Sequence, residues 1–200
     1  MSEQSLIGIE RFAVDQKITM MVNRYQIREL DAEGRPGAVL AVAQQKRMAF
    51  KEQVTFYTDE DRRTPVFSFR ARQRMDLGAT YDVTDARGNP LGEFRKDFAQ
   101  SLLRSTWHLQ SAGVDAVGQE RDATIALLRR GWELLPVLND LPSPFLFHFD
   151  FADRGTGAVV MSSERRRALR DRYVVTVPGG VLDGRVAAAM AVALDALQSR

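Results

Sequence analysis

The chain has no cysteine among its 200 residues. That excludes a disulfide framework, a thiolate metal site and thiol catalysis. It has two histidines, His108 and His148. His148 stands beside Asp150, and a metal or acid–base site would need His108 brought next to that pair. Of 28 basic residues only Lys17, Lys46, Lys51 and Lys96 are lysine, and the net charge is only +2. Acidic residues interleave with the arginines, so the concentrated basic face of a nucleic-acid binder is not evident. No Gly-x-Ser-x-Gly elbow or phosphate loop occurs. The start, Met1-Ser2-Glu3-Gln4-Ser5, lacks the basic and apolar regions of a signal peptide. The expectation is a cytoplasmic protein with no cofactor, no metal and no enzymatic activity.

What is present is an apolar ending. From Val186 to Leu194 no side chain is polar. A helix apolar on all sides must be surrounded by protein or by lipid. Nine residues at about 1.5 Å each reach roughly 14 Å, against a hydrocarbon core of about 30 Å. Asp183, Arg185 and Asp195 bracket the run. Burial within protein is the reading, and the small alanines allow surrounding walls to approach.

The rest of the chain is strand-like. Asp31-Ala-Glu-Gly34-Arg-Pro36 and Asp85-Ala-Arg-Gly88-Asn-Pro90 share one turn pattern, and Asp153-Arg-Gly155-Thr-Gly157 is a looser version. Asp supplies a side-chain turn and Gly supplies positive φ, so each predicts a hairpin. Residues 24–30 and 66–72 alternate with period two, the latter placing Phe67, Phe69 and Ala71 opposite Ser68, Arg70 and Arg72. Further strands are expected at residues 39–43, 48–57, 80–84, 92–98, 102–109, 144–151, 157–162 and 172–177. Residues 119–131 predict one outer helix, with acidic residues first, arginines last and Gly131 after them. Residues 1–19 are expected to be a loosely ordered N-terminal segment, and residues 20–200 a single domain. Many strands ending in one apolar helix predict a closed antiparallel barrel, mainly β, with the helix filling its centre.

The order of motifs carries a resemblance. Tyr25-x-Ile27 precedes the Asp31-x-x-Gly34 turn, and a strand runs from Lys51-Glu52 to Phe56. Then come Tyr81-x-Val83-x-Asp85-x-x-Gly88-x-x-Leu91-Gly92 and the apolar helix after Tyr173-Val174-Val175. Over residues 20–198 this resembles the LURP-one-related family of the tubby C-terminal-like superfamily, which includes phospholipid scramblases. The resemblance implies a barrel of about twelve strands around a central hydrophobic C-terminal helix. The resemblance to LURP-one-related proteins implies a non-enzymatic binding or scaffold module with no assigned ligand. Tubby domains bind phosphoinositide headgroups through basic residues, so the alternative the resemblance implies is a peripheral anionic-phospholipid-binding or scramblase-like protein. The chain departs from scramblases in having no cysteine-rich segment. Asp59-Glu60-Asp61 also lacks the ligand spacing of a calcium loop.

The densest basic stretch supplies the candidate ligand-binding residues, Arg165, Arg166, Arg167 and Arg170, with Arg172 following. They suit anionic phospholipid at a membrane surface, where each cation contributes about 1 kcal/mol. The alternative is a solvated strand edge whose charge prevents edge pairing. Arg70, Arg72 and Arg74 form a lesser row with the same two readings.

Overall fold

The structure is a computed structural model that describes residues 6–18, 22–46, 53–73, 79–97, 105–121, 148–166 and 172–198. Its twelve strands are β1 Arg11–Ile18, β2 Val22–Leu30, β3 Pro36–Lys46, β4 Gln53–Tyr57, β5 Pro65–Ala71, β6 Thr80–Asp85, β7 Pro90–Asp97, β8 Thr106–Ser111, β9 Val114–Glu120, β10 His148–Asp153, β11 Val159–Arg166 and β12 Arg172–Thr176. Each pairs antiparallel with its sequence neighbour, and β1 pairs with β12 to close the barrel. A 3₁₀ turn at Pro178–Gly180 leads into the helix α1, Gly184–Gln198.

Alternation decides which side chains enter. In β9, Val114, Ala116, Gly118 and Glu120 are buried and the residues between them less so. From Val186 to Ala193 every residue of α1 has no exposed surface. The wall supplies the bulk and the helix supplies small residues. Phe56 stacks on Phe67 with centroids 4.1 Å apart, Tyr81 stacks on Phe94 at 5.3 Å, and Phe94 meets Trp107 at 6.3 Å. Large wall rings against helix alanines interdigitate without opening a void. Gly118 belongs to the same fit, because a Cβ there would collide with the Phe151 ring.

The tight turns gather at one end, which α1 enters. In the three Asp–Gly turns, Gly34, Gly88 and Gly157 have φ of 79°, 88° and 72°. Asp31 accepts from the Arg35 N–H at 2.8 Å, Asp85 from the Asn89 side chain at 2.7 Å, and Asp153 from the Thr156 N–H at 2.8 Å. These bonds hold all three carboxyls below the ordinary range. At the opposite end α1 carries Asp195, only 6% exposed. Tyr25 donates to one of its oxygens at 2.8 Å and Tyr173 to the other at 2.5 Å. Burial first, and the Asp195 charge second, push the Tyr25 phenol far above its usual range, so it remains a donor. An acid near a helix C-terminus opposes the dipole, and the two phenols offset that cost.

Three expectations need correction or restriction. Residues 11–18, assigned to a loose N-terminal segment, form β1, and Leu6 is fully buried. The pattern of β1 is obscured because Gln16 sits inward at 5% exposure while Ala13, on the outer face, is also buried. Strand β9 was not expected at all, since its inward positions include Ala116, Gly118 and Glu120 rather than β-formers. Of the expected outer helix, Gln119 and Glu120 belong to β9, and residues 122–131 lie outside the described residues. Among the described residues no helix is long and apolar enough to cross a membrane.

Met190→Asp places an unpaired charge at the barrel centre and abolishes folding, read as loss of the cooperative denaturation transition. Gly118→Val overpacks Phe151 and lowers stability by about 1–3 kcal/mol in urea melts. Tyr25→Phe removes a donor to Asp195 and costs about 1.5–3 kcal/mol in the same assay. The three turn carboxyls have depressed folded pKa values. Their contribution is therefore present above the ordinary carboxylate value of about 3.9 and is lost as pH falls through the folded values. Replacing Asp31, Asp85 and Asp153 by Asn flattens the acid limb of a stability-versus-pH curve.

Candidate functional site

With the interior filled, chemistry falls to the outer face and the barrel ends. Arg165 and Arg166 lie at the end of β11 and are split by the strand's alternation. Arg165 is in register with the buried Tyr173 and so takes the inward position, half-buried. Arg166 is exposed, faces Arg172 across the ladder, and approaches Glu164 at 3.4 Å. Arg167 and Arg170 lie outside the described residues, in the connection between β11 and β12. The expected cluster is thus a rim continued onto β12, with only one of its two described members on the outer face.

Three other arginines of the outer face are neutralised. Arg121 follows β9 and makes a two-bond fork on Asp150, 2.7 Å each, and a third bond to Glu164 at 3.0 Å. The Asp150 bonds, more than the Glu164 bond, push its guanidinium pKa up. Arg172 forks onto Asp15 at 2.6 and 3.0 Å. Arg72 bonds Asp82 at 2.6 Å and also bonds Glu93. Arg70, directly opposite Asp82, makes no pair with it and lines a groove of about 480 Å³ with Gln53, Ser68 and Thr84. Arg74, third of that row, lies outside the described residues.

The histidines do not meet. His108 bonds Asp97 at 3.0 Å on the outer face. His148 faces Glu164 in register. Strand β9 separates β8 from β10, and His108 is level with Ala152 rather than His148. Four residues of offset is about 13 Å along the strand. Among the described residues no group of three or more His, Asp or Glu side chains could hold a metal ion.

Sequence reading missed the cations of the β1–β2 hairpin. Lys17 and Arg24 face each other directly, both exposed, at the barrel end that carries Arg166 and Arg172. They border a recess of about 120 Å³ on the outer face, lined also by Asp15, Gln16, Gln26 and Glu60. Glu60 comes from the β4–β5 connection and accepts from Gln26 at 3.0 Å. The signal for this site was the hairpin register, which needs β1 to be recognised.

A search of curated proteins finds no match to the chain. The family model described as LURP-one-related matches residues 39–195. The match runs from within β3 to within α1 and so covers most of the barrel and its internal helix. The chain belongs to the LURP-one-related family.

Proposed function

We propose that this barrel is a non-enzymatic, cytoplasmic binding or scaffold module that works through its outer surface. The observation that carries the reading is the complete burial of Val186 to Ala193. Barrels that act on small ligands keep an internal cavity for them, and here a helix occupies that volume. Recognition is then left to the outer face and the rims.

A second reading, peripheral binding to anionic phospholipid, is favoured by one specific feature. Arg166 and Arg172 face each other at one barrel end, with Arg165 beside them and Arg167 and Arg170 in the intervening connection. Glu164 and Asp15 offset part of this charge, but the arginines outnumber them, and the net positive charge left at the rim suits an anionic surface. No covalent step or cofactor enters this reading.

Co-sedimentation with phosphatidylserine-containing liposomes tests it. The wild-type chain pellets with them at low salt and is released as salt rises. Arg165→Ala, Arg166→Ala and Arg167→Ala together weaken the binding by roughly a hundredfold, at about 1 kcal/mol per charge. A chain that stays in the supernatant with every anionic composition overturns the lipid reading and leaves the scaffold reading.

A further inference from the structure

Among the described residues, with histidine counted as neutral, three like-charged pairs face each other directly across the ladder. They are Asp82 with Glu93, Arg166 with Arg172, and Lys17 with Arg24. Facing side chains on one face have Cβ atoms about 5 Å apart, where like charges repel. Two of these pairs carry their own counter-ions. Arg72 bridges Asp82 and Glu93. Glu164 lies 3.4 Å from Arg166, and Asp15 lies 2.6 Å from Arg172.

The third pair has no counter-ion from the described residues. Asp15, the nearest acid along β1, has both oxygens occupied by Arg172. Glu60 lines the recess but is bonded by Gln26, and it forms no ion pair with Lys17 or Arg24. The recess therefore presents an ammonium, a guanidinium and the Gln26 side chain around about 120 Å³, with two carboxylates in its lining, Asp15 held by Arg172 and Glu60 by Gln26. Two facing cations with an amide beside them match a tetrahedral oxyanion. Arginine supplies the fork and lysine the point charge.

We infer that Lys17 and Arg24 form a binding site for a phosphate group, which supplies from outside the counter-ion this pair lacks. The inference rests on the reading of the barrel as a surface-binding module. It names the site on β1–β2, separate from the arginines of β11. The phosphate group is either free in solution or carried on a lipid headgroup, and the recognition chemistry is the same for both.

Two probes separate the sources. The first is inorganic phosphate, titrated by NMR while following the Arg24 Nε–H resonance. The second is a phosphatidylcholine vesicle containing phosphatidic acid, read by co-sedimentation. The site predicts a saturable phosphate shift in the wild type that disappears in Lys17→Gln/Arg24→Gln. It also predicts vesicle binding about thirtyfold weaker in that variant, from two charges at a lipid surface. A phosphate shift without vesicle binding assigns the site to free phosphate and overturns the lipid reading alone. Vesicle binding that the double variant leaves unchanged overturns the site and leaves the lipid reading standing. No response to either probe overturns both. Lys17→Glu serves as the folding control. It pairs with Arg24, so thermal stability at low salt rises while the phosphate shift is lost; a phosphate shift surviving in this variant also overturns the site.

Discussion

Eight consecutive helix residues with no exposed surface require a wall on every side, and the twelve strands provide it. The two parts depend on each other. Twelve strands enclose more space than wall side chains alone fill, and an alanine-rich apolar helix has no stability in water without enclosure. The division of sizes follows. Phe56, Phe67, Phe69, Tyr81, Phe94 and Trp107 crowd the wall from β4 to β8, and the helix answers with Ala187, Ala188, Ala189, Ala191 and Ala193. Asp195, held between two phenols, ties the end of the helix to β2 and β12.

Because the interior is committed to packing, the outer face is where charge can vary. It is organised strand by strand. Arg121 joins β9, β10 and β11 through Asp150 and Glu164, Arg172 joins β12 to β1 through Asp15, and Arg72 holds β6 and β7 together. Such clamps are half-exposed, so each adds little to stability. Their main effect is to cancel charge locally, where strands meet.

The barrel and its helix were legible in the sequence because each rests on a strong local signal. Val186 to Leu194 contains nothing polar, and the Asp–Gly turns mark hairpins whose side-chain bonds the structure displays. The strands that escaped notice have weak local signals for physical reasons. Strand β9 needs Gly118 to admit Phe151, which removes a strand-forming residue, and β1 turns Gln16 inward. The surface site was less legible still. Lys17 and Arg24 meet only through the β1–β2 register, and Arg165 and Arg166, adjacent in sequence, are sent to opposite faces by the pleat.

The single non-sequential pairing, β1 with β12, joins Arg11 to Thr176. Every other ladder can form from a local hairpin or a neighbouring strand. Among the ladders, closure alone joins parts of the chain more than 150 residues apart, and such contacts form slowly. Until it happens, the growing sheet has two open edges, and the apolar stripe meant for the helix faces water. The finished ring hides both hazards at once. The period of risk for self-association therefore lies in assembly, before the first strand meets the last.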